Sequence, residues 1–118
     1  VTGLHVEERQ IAIGDSATFG FTVVLAAAAT EPADAVIDYR VHYQGVRGPN
    51  APKVFKLTRR RLTPGVPEQV VRRHRFEHVS IRRIRPGPHV IDVQVNGRVL
   101  GSVTVDVQPQ DTAMGAHT

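Results

Sequence analysis

The side chains that could do chemistry in this 118-residue chain are thirteen arginines, two lysines, six histidines and eleven carboxylates; cysteine is absent. His74 and His78 are the closest histidine pair and invite a metal reading. On a helix that spacing would put both on one face. Here the surroundings alternate as a strand does, and four residues of strand span ~13 Å, too far for both to hold one ion at ~2 Å. Arg72, Arg73, Arg75, Arg82 and Arg83 lie nearby in sequence and would repel a cation. Nucleophilic catalysis lacks a cysteine and a Gly-x-Ser-x-Gly turn. Glu7, Glu8, Asp15, Asp34 and Asp38 sit beside turns or on polar faces, whereas acid–base work needs desolvated carboxylates. No Gly-rich turn leads from a strand into a helix, so there is no phosphate loop. No catalytic residue, metal or cofactor is therefore expected, and the chain reads as a non-enzymatic module.

The cations are more telling, because they are segregated. Between Arg47 and Arg98 lie thirteen basic and three acidic residues, a formal +10, while the remainder carries two and eight, a formal −6. Arginine dominates, and its planar fork of donors suits phosphate better than an ammonium does. Three runs stand out: Arg59-Arg60-Arg61, Arg72-Arg73-x-Arg75 and Arg82-Arg83-x-Arg85. A single charge run is usually a solvated face. Three in one half of a small domain point to a polyanion, with double-stranded DNA held through its backbone and little reading of bases. The candidate contacts are Lys53, Lys56, Arg59 and Arg61, then Arg73, His74 and Arg75, then Arg82, Arg83 and Arg85. Arg47 joins them from the loop Gln44 to Pro52, which reads as mobile and could enter a minor groove or be an ordinary surface loop.

These residues must be positioned by strands. Phe19, Phe21, Val23 and Leu25 alternate with polar or small residues, as do Ile37, Tyr39, Val41 and Tyr43. Leu4 to Ile13 precedes a Gly14-Asp15 turn. A strand is expected from Lys53 to about Arg60, with Phe55 and Leu57 facing one way, and another from Glu68 to Phe76. In the latter, alternation puts Arg73 and Arg75 on one side and Arg72, His74 and Phe76 on the other. Residues from His78 to Arg85 are extended or irregular. Ile91, Val93 and Val95 alternate up to Asn96-Gly97, a preferred type I′ turn pair, and Val99 to Val107 returns as the second arm of a hairpin. Ala26 to Ala29 could form a helical turn, but Pro32 stops it.

Seven or eight strands with short turns and no convincing helix imply an all-β, immunoglobulin-like antiparallel sandwich, with a small barrel as the alternative. One domain spans residues 1–107, and residues 108–118 lack periodicity and form a flexible tail. Ile84-Arg85-Pro86-Gly87 suits a corner between sheets, since Pro86 forces Arg85 to be extended. No stretch approaches ~18 apolar residues. The lack of cysteine is compatible with a reducing, cytoplasmic setting.

Five short blocks carry a family resemblance: Pro52-Lys53-Val54-Phe55-Lys56-Leu57, Arg73-His74-Arg75-Phe76, Ser80-Ile81-Arg82-Arg83, Pro86-Gly87-Pro88-His89 and Val95-Asn96-Gly97. In this order and spacing the chain resembles the immunoglobulin-like C-terminal domain of bacterial DNA alkylation repair proteins of the AlkC/AlkD type. It departs from the pattern where Arg85 replaces an aromatic residue before Pro-Gly and Arg75 replaces a small polar residue after the histidine. The resemblance implies an upstream helical-repeat domain that excises alkylated purines, and a sandwich that helps hold the duplex. It also implies Lys53, Lys56, His74, Arg82 and Arg83 as the conspicuous polar positions, with Gly87, Asn96 and Gly97 as turn formers. Two other readings stand beside it. One is an adhesion or protein-interaction sandwich with no nucleic-acid role. The other is a structural domain whose arginines dock on an acidic neighbour.

Overall fold

Apolar residues two apart build the interior from both sides. Ala17, Phe19, Phe21 and Val23 on one strand and Ala35, Ile37, Tyr39 and Val41 on another are all buried. The computed structural model describes residues 1–45, 48–77 and 84–109, and places these strands in two facing sheets. The three-stranded sheet has the order β1 (Thr2–Val6), β3 (Ser16–Val23), β8 (Glu68–Arg75). The five-stranded sheet has the order β2 (Gln10–Ala12), β10 (Arg98–Gln108), β9 (Gly87–Val95), β4 (Ala33–His42), β7 (Lys53–Leu62). Among the described strands of these layers only β2 and β10 run parallel; every other neighbouring pair is antiparallel. This is an immunoglobulin-like sandwich with eight strands in its two layers.

The residues before the Gly14-Asp15 turn form two strands. β1 pairs with β3, and β2 pairs with β10 in the other sheet, so the chain changes layer between them. The hairpin at Asn96-Gly97 is as expected, with φ of 51° and 81° at the two turn residues. Asn96 also ties this turn to β4: its N–H donates to the Val36 carbonyl and its Oδ1 accepts the Val36 N–H, both at 2.8 Å. β10 continues through Gln108, one residue into the expected tail, and residues 110–118 lie outside the described residues.

The segment from Gln44 to Pro52, expected to be mobile, has its own pairing. β5 (Gln44–Gly45) faces β6 (Gly48–Pro49), and the Asn50 N–H closes the loop on the Tyr43 carbonyl at 2.8 Å. Gly45 is required there, because a Cβ would stand 2.8 Å from the Gly48 carbonyl oxygen and collide with the Asn50 side chain.

Two histidines sit inside the aromatic core. His74 is held between tyrosine hydroxyls, Tyr39 on Nδ1 at 2.8 Å and Tyr43 on Nε2 at 3.0 Å. Each tyrosine hydroxyl can donate to or accept from the ring nitrogen it faces. Phe55 stacks on Tyr39 at 5.1 Å and meets the His74 ring edge-on at 4.8 Å. Burial pushes the Tyr39 hydroxyl up from its ordinary pKa, against the pull of the Arg72 guanidinium. His89 is fully buried. Its Nδ1 donates to the Gly87 carbonyl at 3.0 Å, which leaves Nε2 to accept the Gln44 N–H at 3.3 Å. Burial pulls His89 below the ordinary imidazole range, opposed by the Gly87 hydrogen bond and by Asp106.

Tyr39→Phe takes from the buried His74 Nδ1 the hydroxyl that stands 2.8 Å away. Tyr39→Phe is expected to cost about 1–3 kcal/mol in urea unfolding, with the urea dependence unchanged; a neutral result would mean that water replaces the hydroxyl. For His89 the folded pKa lies below the unfolded one, so its contribution is complete above about pH 6.5 and is lost as the pH falls through the folded value. The thermal midpoint of the unaltered chain should therefore drop on acidification below about pH 6.5, and that of His89→Gln should drop less. Parallel pH profiles for the two proteins would show that His89 is not a source of the acid sensitivity.

Candidate nucleic-acid interface

β7 is an edge strand, and its outward face carries three of the candidate cations, Lys56, Arg59 and Arg61. Pairing with β4 sets Arg61 beside Asp34, Arg59 beside Val36 and Lys56 beside Asp38, on the face away from buried Ala35, Ile37 and Tyr39. Lys56 and Arg59 are three positions apart, so uniform alternation would send them to opposite faces. The register shifts between them: Ile37 faces Thr58 and Asp38 faces Lys56, which leaves Leu57 as an extra residue, a β-bulge. Phe55 and Leu57 both pack against the core, as expected, and beyond the bulge Thr58, Arg60 and Leu62 turn inward, so the expectation that Thr58 lies on the opposite side from Leu57 is corrected. Leu62 needs the interior, where it is 4% exposed, and an unbroken strand with Phe55 inward would have turned it to solvent.

Among the described residues, Lys53, Lys56, Arg59 and Arg73 are in no ion pair with a carboxylate. Arg61 meets Asp34 at 3.1 Å, with side chains 66% and 77% exposed. Such a pair is worth little in water, and Arg61 can leave it for a phosphate at small cost. Asp34 and Asp38 on β4 moderate the positive potential of the row.

The other cations divide. β8 belongs to the three-stranded sheet, because it pairs with β3 rather than β7. The expectation of one basic surface is corrected accordingly. Arg73 and Arg75 are exposed on the outer side of that sheet, and Lys56, Arg59 and Arg61 on the outer side of the opposite one. The two groups share only the sandwich edge where β7 and β8 meet. Arg75 is further engaged, with the Gly14 carbonyl at 3.0 Å and Glu77 at 3.5 Å. His74, a candidate contact, is 7% exposed and points into the core with Phe76 on the same face of β8, so it cannot meet a phosphate. Arg60 and Arg72 also turn inward and bridge the layers: Arg60 pairs with Glu68 of β8 at 3.2 Å, and Arg72 Nη2 donates to the Leu57 carbonyl at 2.8 Å.

Lys53 begins β7 opposite Val41, exposed at the end of the sandwich where β9 starts, and Arg85 is exposed on the connection into β9 beside buried Ile84. Arg47, Arg82 and Arg83 lie outside the described residues. A polar cluster escaped the sequence reading. Asp92, 4% exposed although it lies on the outer side of β9, accepts from Arg40 Nη2 at 2.7 Å, His42 Nε2 at 2.6 Å and Ser102 Oγ at 2.6 Å. Burial alone would raise its carboxyl. The hydrogen bonds from Ser102, His42 and Arg40 outweigh that and hold it below the usual carboxylate range. Its only sequence signal is an acid between Ile91 and Val93, opposite Arg40-x-His42 on the neighbouring strand.

Comparison with known proteins sets this geometry among relatives. The chain matches, with a TM-score of 0.85 and 32% identity over 91% of its length, the Pseudomonas fluorescens alkylpurine DNA glycosylase AlkC, solved bound to DNA containing an abasic site analog. The match takes up 29% of that enzyme's chain, so most of the enzyme has no counterpart here. A β-glucosidase from Listeria innocua in complex with gluconolactone shares the fold alone, at a TM-score of 0.70, 14% identity, 92% of this chain and 16% of that one. No curated protein matches in sequence. The family model that fits is the C-terminal Ig-like domain of the uncharacterised protein YhaZ, over residues 1–109. The chain belongs to the family of YhaZ C-terminal Ig-like domains.

Proposed function

We propose that the chain is a non-catalytic module that grips the phosphate backbone of duplex DNA, as the accessory domain of an alkylation-repair glycosylase. The observation that carries this reading is the 32% identity, over 91% of the chain, to a glycosylase solved on DNA. The exposed row Lys56, Arg59 and Arg61 supports it. So does the surplus of arginine in the second half of the chain, since guanidinium groups bind phosphate in a forked, charge-assisted geometry. Contacts of this kind position the protein without reading sequence. Lys53, Arg73, Arg75 and Arg85 flank the row around the β7–β8 edge and the adjoining end of the sandwich. Arg47, Arg82 and Arg83 are proposed contacts on sequence alone. Base excision would belong to a helical-repeat domain of the same protein, and the setting would be cytoplasmic.

Fluorescence anisotropy of a labelled duplex, titrated with salt, tests this. Arg59→Ala, and separately Arg82→Ala or Arg83→Ala, should weaken binding alike on unrelated duplex sequences. Removing one cation from a phosphate should flatten the plot of log affinity against log salt by about 0.9. Arg9→Ala, beside β2 at the edge of the five-stranded sheet opposite β7, should leave the slope unchanged. Equal slopes for all these proteins would count against direct phosphate contact. Tighter binding to heparin than to duplex would instead favour a surface that docks on acidic protein.

A further inference from the structure

Strand β7 must reconcile two demands. Leu62 is buried and Phe55 packs against the core, yet seven positions separate them, an odd number that an unbroken strand sends to opposite faces. The bulge at Leu57 resolves this by changing the phase of the strand. Before it, the outward residues are Val54 and Lys56; after it, Arg59 and Arg61. The price of a bulge is an extra residue left out of the ladder. Here the carbonyl of that residue is met from the opposite sheet, where Arg72 Nη2 donates to Leu57 O at 2.8 Å.

We infer that Arg72 is a positioning residue: by capping the bulge carbonyl it fixes the phase of β7 and so aligns Lys56 with Arg59 and Arg61. As it concerns DNA, this rests on the reading that the row meets phosphates. Arg72 itself extends from the inward face of β8, close enough to Tyr39 to act on its hydroxyl. It therefore works through β7 rather than as one more cation in the row.

The two halves of β7 differ in what else holds them. Beyond the bulge, Leu62 is buried and Arg60 is paired with Glu68 across the layers. Before it, Phe55 meets the Tyr39 and His74 rings but is only half-buried, and Lys53, Val54 and Lys56 are exposed. Loss of the Arg72 cap therefore frees the Lys56 half and spares the Arg59 half. This asymmetry separates positioning from a general loss of stability, which would affect both.

The experiment is a pair of double-mutant cycles on the whole chain, read as the salt slope of duplex binding. In the unaltered background Lys56→Ala and Arg59→Ala should each lower the slope by about 0.9. In the Arg72→Met background Lys56→Ala should lower it by less than half as much, while Arg59→Ala keeps its full effect. Arg72→Lys, which retains a cationic donor, should restore the Lys56 contribution. If Lys56→Ala has the same effect in all three backgrounds, or Arg59→Ala loses its effect together with Lys56→Ala, the inference is overturned. Proton NMR reads the phase without DNA. The cross-strand signals of Lys56 with Asp38 and of Thr58 with Ile37 should weaken or vanish in Arg72→Met and stay in Arg72→Lys. Their persistence in Arg72→Met overturns the inference too. Should Arg72→Met not fold, the Arg72→Lys arm decides: unaltered NMR signals and a full Lys56 contribution support the cap, and their disappearance overturns it. Failure of the unaltered chain to bind duplex would defeat the proposed function and leave the phase of β7 to the NMR comparison.

Discussion

A β-strand that has to bury residues an odd number of positions apart must break its own period, and the most basic strand of this domain is under that constraint. Phe55 closes the aromatic core against Tyr39 and His74, while Leu62 seals the far end of the same sheet. Fully burying a side chain of the size of Leu62 is worth roughly 1.5–3 kcal/mol, and half-buried Phe55 gains part of that. A bulge is the small local irregularity that allows both. It also decides which side chains β7 shows to solvent. Packing inside and charge outside are thus two consequences of one extra residue.

The edge where the two sheets meet is held by arginines that alternation turns inward. Arg60 reaches a carboxylate and Arg72 a carbonyl, each on the facing layer. Their stems cover apolar surface while their heads remain solvated or bonded. They also blunt an edge that would otherwise offer unpaired backbone groups to another chain. A basic run in this domain is therefore not one functional unit. In the two runs that lie within the described residues, Arg60 and Arg72 belong to the architecture, and Arg59, Arg61 and Arg73 belong to the surface.

Charge on the surface is graded rather than uniform. The row on β7 is flanked by Asp34 and Asp38, and Arg40 is consumed with His42 and Ser102 around Asp92. On the proposed function, a face of this kind would favour contacts made one phosphate at a time over a broad electrostatic field. Such contacts are short-ranged at physiological salt, where screening acts within about 8 Å. The related glycosylase chain is matched over only 29% of its length.

Period-two alternation was legible without coordinates. It placed Phe19 and Phe21, Ile37 and Tyr39, and Ile91 and Val93 inside, it set Asn96-Gly97 at a hairpin turn, and it grouped His74 with Phe76 away from Arg73 and Arg75. These features depend on neighbours in the chain, which the order of residues records directly. The partner of each strand depends on contacts far apart in sequence, and three results followed from that alone. β8 joined β3 instead of β7, which divided the arginines between opposite outer faces. His74 found two tyrosine hydroxyls from another strand and its end, and became part of the core. The phase change at Leu57 was implied by the odd spacing of Phe55 and Leu62, but only the knowledge that both are inside, which comes from the assembled sheets, turns that spacing into a bulge.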